Sequence, residues 1–416
     1  MEHDGKYLKG FLSGVCVMLV CVGIVLFAKG EMLKNSGQGA QVETQARTEE
    51  QVKDNMLDLD LGRVENKLQN IEEVINQYYL DEIDEAEVES WMYKGLIAGL
   101  GDRYAAYYTR EELEKSNESS SGQYEGIGAV LTENVNTGLV TVVRCYEGTP
   151  SQEAGMLPGD VIYMLNDTAV TGMELSDVVS MIRNEEGETI KVTVVREGQD
   201  DYLEFDVERR AIEVPTVNYE MMDGKIGYIE ITEFDSVTEA QFISALENLN
   251  SQGMEKLVID LRNNLGGVLQ TTCNMLNQLL PEGLIVYTED KDGNRTEYRS
   301  DGKHAFDKPL AVLVNGNSAS ASEIFAGAVK DYGIGTLVGT NTYGKGIVQR
   351  TVKLNDGTAV KMTIAKYYTP KGNDIHGVGI KPDVEVELDE GLKQKVSIEK
   401  SEDNQLQKAI EVVNGK

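Results

Sequence analysis

The sequence predicts an α/β chain: a layered core of buried strands and helices, preceded by a small strand-rich module, a helical region and one apolar span. Three observations predict it. "KLVIDLRNNLGG" from Lys256 and "KPLAVLVNGNSASASEIFAGAVKDYG" from Lys308 each carry an unbroken apolar run into a turn, the pattern of strands buried on both faces. Between Tyr124 and Val195, short β-rich runs alternate with turn signals. Gly10 to Ala28 is nineteen residues without a charge.

The totals narrow the function classes. At 416 residues the chain is too long for one ordinary domain. Its apolar fraction, 41%, suits a fold with a real core. A net charge of −31 argues against a nucleic-acid partner, which needs a basic footprint. Of four cysteines, Cys16 and Cys21 lie in the apolar run, and Cys145 and Cys273 stand far apart. No CxxC spacing occurs, so no metal is expected. A Cys145–Cys273 disulfide would have to link two domains.

In chain order, residues 1–9 form a stub and residues 10–28 just span a bilayer at about 1.5 Å rise per residue. A cleaved signal peptide is the rival reading, but no small-x-small site precedes Lys29. The short N-terminal side and large C-terminal body place the body outside. Residues 29–60 are polar and read as a tether. Residues 61–117 are helical: Val64, Leu68, Ile71 and Ile75 recur at three- and four-residue steps, and Glu85 to Leu100 makes a second helix. This region serves either plain packing or a dimer contact. "NESSSGQ", 117–123, is a soft boundary. Residues 118–210 are the strand-rich module, 211–387 the layered core, and 388–416 a charged C-terminal segment.

Within the module stand "EGIGAVL" and "GTPSQEAGMLPGDVIYMLND". Gly126 and Gly128 let backbone N–H groups converge on a terminal carboxylate, and the following strand can pair with a peptide. These stretches resemble a PDZ domain of the kind attached to bacterial proteases. The resemblance implies a groove at Gly126, Ile127, Gly128 and Ala129, with Val179 and Ile182 lining the apolar pocket. Arg183, on the helix beside it, is a regulatory candidate that contacts the protease body and reports groove occupancy.

In the core, Ser318, Ser320 and Ser322 follow the strand Leu310–Val314 and lead into a helix expected over Ala321 to Tyr332. A hydroxyl at a helix N-terminus sits where negative charge is favoured. A serine there is more often a plain N-cap, and it needs a base to act as a nucleophile. "TYGKGIVQ" offers one: Lys345 between two glycines, after a buried strand, is a candidate for the lowered pKa that a neutral amine base requires. With three histidines in the chain, only His304 and His376 could build a triad beyond the membrane side.

"SASASEI" with "TYGKGIVQ" and "DLRNNLGG" resembles the carboxyl-terminal processing proteases, tail-specific serine peptidases with a Ser/Lys dyad. The resemblance runs from Val64 to Val386. It implies a ββα layered, ClpP/crotonase-like protease core with an inserted PDZ domain. It implies Ser320 as nucleophile, Lys345 as base, Gln349 orienting the lysine, and oxyanion amides on Gly266 and Ala321. It implies no cofactor. "GDRYAAYY" departs from relatives that carry Pro and Ser after the Asp, and this departure is expected to touch the helical region and not the chemistry. The expected partners are unfolded or flexible protein C-termini, the membrane through the N-terminal helix, and a second copy through the helical region. The expected setting is a bacterial cell membrane with an extracytoplasmic body. Two other classes compete: a PDZ scaffold whose protease body is silent or partner-gated, and a crotonase-type acyl-CoA enzyme, which would need CoA-binding features.

Overall fold

A computed structural model describes residues 57–134, 136–183, 188–395 and 397–415. The expected membrane span and most of the tether lie outside them, and no helix of the described residues is long and apolar enough to cross a membrane. Helix α1 (Leu61–Tyr78) starts at Asp60, whose carboxylate accepts from Arg63 N–H at 3.0 Å. Helix α2 (Glu85–Ala98) starts the same way at Asp84. Each cap satisfies an orphan donor of the first turn. The apolar positions of both, among them Leu68, Ile71, Val74 and Trp91, stay exposed.

Strand β1 (Ala106–Tyr108) and helix α3 (Arg110–Ser121) follow. The boundary expected at 117–123 is tighter than that, because α3 continues through Ser121 and ends at Gly122. A two-stranded ribbon, β2 (Gln123–Gly126) and β9 (Arg210–Glu213), leads into and out of the PDZ-like module. Inside it are β3 (Ala129–Asn134), β4 (Leu139–Cys145), α4 (Pro150–Glu153), β5 (Val161–Leu165), β6 (Thr168–Ala169), α5 (Leu175–Arg183), β7 (Thr189–Val195) and β8 (Leu203–Glu208). The sheet order is β3-β4-β5-β7-β8, with β6 on β5. Alternate residues Ile190, Val192 and Val194 point into its core with Val178 and Ile182 of α5, as a half-buried sheet requires.

The layered core has two sheets. The first runs β10 (Val217–Met222), β11 (Ile226–Ile231), β12 (Lys256–Asp260), β15 (Leu310–Val314), β16 (Thr336–Gly339), β19 (Val384–Glu385), parallel except for the β10–β11 pair. The second holds β1, β18 (Ala359–Tyr368), β13 (Gly283–Asp290) and β14 (Arg295–Ser300), with β17 (Ile347–Lys353) on β18. Helices α6 (Thr238–Ser251), α7 (Leu269–Asn277) and α8 (Ala321–Tyr332) join the larger apolar cluster with Ile259 and Val312. On the opposite face, Val258, Ala311 and Leu313 meet Leu406, Ala409 and Val413 of α9 (Asn404–Gly415). The segment read as merely charged thus closes one face of the first sheet. Its apolar residues recur at three- and four-residue steps and lie on one side. Arg262 ties its start to the sheet through Asp260 (2.6 Å) and Asp403 (2.7 Å).

Cys145 and Cys273 are both free thiols. Burial pushes Cys273 up to about 12.

Candidate active site

Three parallel strands end side by side, Asp260 level with Leu313 and Val314 level with Gly339. Their outgoing turns therefore converge, as ligand-binding turns do at the carboxyl ends of parallel strands. The turn after β12 brings Gly266, the turn after β15 brings Ser320, and the segment after β16 brings Lys345.

The alternate serines divide by where their hydroxyls go. Ser318 Oγ donates to Leu261 O at 2.8 Å, and Ser322 Oγ donates to Asn264 O at 2.9 Å. Both fasten their turn to the neighbouring one. Ser320, between them, is the N-cap of α8 and forms a capping box with Glu323. Its hydroxyl donates to no acceptor among the described residues. Its backbone is held at φ 55, ψ −113, a strained conformation for a residue with a side chain. Such a position costs on the order of 1–3 kcal/mol and persists because its surroundings over-determine it.

Glu323 does most of that holding. Its carboxylate is fully buried, 0% exposed. Oε2 accepts from Ser320 N (3.0 Å) and Lys345 N (2.8 Å), and Oε1 from Gly344 N (2.7 Å) and Thr342 Oγ1 (2.6 Å). One carboxylate thus fixes the amides of both the serine and the lysine. Tyr367 reinforces it: its hydroxyl donates to Lys345 O (2.6 Å) and Ser320 O (2.9 Å).

Lys345 is 4% exposed, as is Ser320. Burial, then the cations Lys361 and Arg103, pull the Lys345 amine down to about 7, while Asp102 and Glu323 oppose the shift. An amine in that range is part neutral at physiological pH, which a general base requires. Lys345 Nζ rests 4.6 Å from the centre of the Tyr104 ring. No hydrogen bond joins it to Ser320 Oγ among the described residues. Gln349 is buried, but its Nε2 donates to Thr363 Oγ1 at 3.4 Å rather than reaching the lysine.

Gly266 lies against the serine turn. A Cβ there would meet Ser320 Cβ at 2.8 Å and Ala321 N at 2.9 Å, and its φ is +108, so only glycine fits. Its N–H donates to Asn264 Oδ1 at 2.8 Å. His304 and His376 both have exposed side chains; the backbone of His376 packs on Gly346.

The PDZ-like groove is lined by Tyr124, Gly126, Gly128, Ala129, Val179 and Arg183, among others. Ile127 and Ile182 also line it but belong to the module's buried core. Gly128 packs so closely on Thr149 that a Cβ would come within 2.3 Å. Arg183 pairs with Glu118 of α3 and lies 4.8 Å over the Tyr124 ring of β2.

The family model for peptidase family S41 matches residues 225–386, the segment holding all three converging turns. A PDZ domain model matches residues 141–196. The carboxy-terminal processing protease CtpA of Bacillus subtilis (strain 168) is 34% identical over 329 residues, covering 79% of this chain and 70% of that protein. The chain belongs to peptidase family S41. A probable CtpA-like serine protease of Staphylococcus aureus (strain N315) is 35% identical over 325 residues, or 77% of this chain. The chain spans 64% of that relative's length. Among solved structures, a photosystem II D1 C-terminal processing protease aligns with 31% identity and a TM-score of 0.45, over 74% of this chain and 84% of that one.

In this S41 member, the departure at "GDRYAAYY" reaches beyond the helical region to Lys345, against the expectation from sequence. Asp102, Arg103 and Tyr104 surround Lys345 because β1 pairs with β18 and carries the preceding turn to the lysine. Glu323, Thr342, Tyr367 and Asn264 were also missed. For Glu323 a signal existed: Ser-x-x-Glu is the capping-box spacing.

Proposed function

We propose that this chain is a serine endopeptidase that captures unfolded or flexible protein C-termini in its PDZ groove and cleaves them with Ser320 and Lys345. The observation that carries the reading is the shared anchoring of the Ser320 and Lys345 amides on Glu323, beside an amine held near 7. Neutral Lys345 takes the Ser320 proton, and Ser320 Oγ attacks the scissile carbonyl. Ala321 N–H receives the oxyanion, joined by Gly266 N–H once it leaves Asn264. Loss of one such donor costs about 3 kcal/mol. The protonated lysine returns its proton to the leaving amine, and water then frees the acyl-enzyme. Gln349, held by Thr363 Oγ1 in this structure, is assigned to orient the lysine once its side chain turns toward the amine. The substrate's terminal carboxylate sits at the Gly126–Ala129 loop, and its last apolar side chain lies beside Val179 and Ile182.

The test is cleavage of an unfolded reporter with an apolar C-terminus by the full chain, beside Ser320→Ala and Lys345→Ala. Both variants should lose activity, and the parent's kcat/KM should rise with pH through about 7 as the base deprotonates. Cleavage that survives Lys345→Ala would assign the base elsewhere and reopen His304 and His376.

A partner-gated body is the second reading. It is favoured by the unjoined Ser320 and Lys345 side chains and by the Gly266 N–H spent on Asn264. Arg183, bridging groove and α3, would carry the signal. The exposed apolar faces of α1 and α2 suit a homodimer contact, which sedimentation of the chain with and without them would check. The nineteen-residue apolar run is proposed as a retained anchor in a bacterial cell membrane with the body outside. Recovery of the chain in the salt-washed soluble fraction would refute it.

A further inference from the structure

One wall of the Lys345 pocket comes from neither the S41 match nor the PDZ module. The turn between α2 and β1 lies against the amine, with the Tyr104 ring face 4.6 Å from Nζ. Arg103 fastens that ring. Its Nη2 donates to Tyr104 Oη and, at 3.1 Å, to Tyr343 Oη, two residues before the lysine. Asp102 anchors the turn from behind: its Oδ1 accepts from Tyr104 N at 2.9 Å, and its Oδ2 from Thr363 N at 3.0 Å on β18. The pairing of Ala106 with Lys361 then continues the attachment along β1. The turn is thus tied to the lysine's own segment on one side and to the strand behind it on the other.

We propose that Arg103 and Tyr104 form a latch over the amino group of Lys345 and act as positioning residues for the base. The inference rests on the peptidase reading. The ring excludes water from the amine, and the guanidinium adds a like charge nearby. Both effects favour the neutral amine. The ring's π face works the other way, at about 0.5–2 kcal/mol for a cation. The amine lies near 7 because burial and the cations Lys361 and Arg103 outweigh Asp102 and Glu323. Tyr343 faces the latch from the lysine's own segment. The region ahead of the PDZ domain is on this account part of the catalytic apparatus.

The experiment uses the full chain as parent, Arg103→Met, Tyr104→Ala and Tyr104→Phe. Two pH titrations are run on each: kcat/KM on the reporter, and carbamylation of Lys345 by cyanate, read by mass spectrometry. Cyanate reacts with the neutral amine and needs no catalysis. In Arg103→Met and Tyr104→Ala, both the acid limb and the labelling midpoint should move above the parent's value of about 7. A rise of one pH unit lowers the neutral fraction at pH 7 about fivefold. Tyr104→Phe keeps the ring face, so its labelling midpoint should stay with the parent's. Labelling midpoints that superimpose across all four overturn the latch, even where activity drops. Midpoints that move as expected in a chain that cleaves nothing would instead sink the peptidase reading and leave the latch standing. Arg103 is exposed, so Arg103→Met tests the latch even where Tyr104→Ala fails to fold.

Discussion

Replacing Lys345 by methionine should abolish cleavage and at the same time stabilise the fold. The amine's ordinary value is 10.5 and its value in the folded chain is about 7. The unfolded chain therefore holds one more proton than the folded chain between those limits. For a lysine shifted down, the penalty on folding is full below the folded value and fades as pH rises toward the unfolded one. At 1.36 kcal/mol per pH unit it amounts to about 5 kcal/mol at pH 5, about 4 at pH 7 and about 2 at pH 9. Methionine fills much of the same space and carries no such penalty. It forgoes the Tyr104 contact, and relaxation around the amine trims the gain further, so these figures are upper limits. The assay is urea unfolding followed by circular dichroism at pH 6, 7, 8 and 9, with Ser320→Ala in both chains to prevent self-cleavage. The expected signature is a stability gap favouring methionine that shrinks by about 2 kcal/mol from pH 7 to pH 9. A gap that does not change with pH, or a methionine variant less stable throughout, would refute the idea that the fold strains to hold this amine neutral. It would also remove the basis for its role as a base.

Two further outcomes follow from the same geometry. Glu323→Gln removes a buried charge that accepts from four donors and puts an amide NH₂ where only acceptors fit. With hydrogen bonds to charged groups worth about 1.5–3 kcal/mol each, the variant should lose roughly 3 kcal/mol of stability. Its kcat/KM should fall at least tenfold, and unchanged kinetics would show that Ser320 and Lys345 need no common anchor. Arg183→Ala breaks a pair that is about a third exposed on each side, so stability should change by less than about 1 kcal/mol. Activation of cleavage by an added C-terminal peptide should weaken, and an unaltered activation ratio would end the regulatory reading of Arg183.

The buried strands and the helix after the serines were legible because their signals are local. Leu310–Val314 is apolar at every position, and Ala321–Tyr332 opens on a small-residue turn and stops at Gly333. Convergence of the turns after β12, β15 and β16 was legible only as a family likeness. Pairing order cannot be read from one strand at a time. Asn117–Ser121 read as part of a soft boundary because five polar residues carry no apolar period, yet α3 holds them, with Ser116 and Leu113 on its buried side. The C-terminal segment looked merely charged because its apolar residues are few. Its partners are the small and branched residues of strands far earlier in the chain.

By itself, the sequence determined the element types, the division into a strand-rich module and a layered core, and the existence in that core of a serine turn and a glycine-flanked lysine. Each depends on neighbours within a few positions, where backbone preference and apolar period act. Tertiary structure alone decided which of three serines keeps an unengaged hydroxyl proton, since Ser318 and Ser322 donate to carbonyls some 57 and 58 positions away. It alone decided that the lysine amine lies at about 7 and not at its ordinary 10.5. That property comes from desolvation and from cations brought by other strands and turns. Arg103 and Tyr343 stand 240 positions apart and meet over Lys345, because β1 pairs with β18 at the edge of the second sheet.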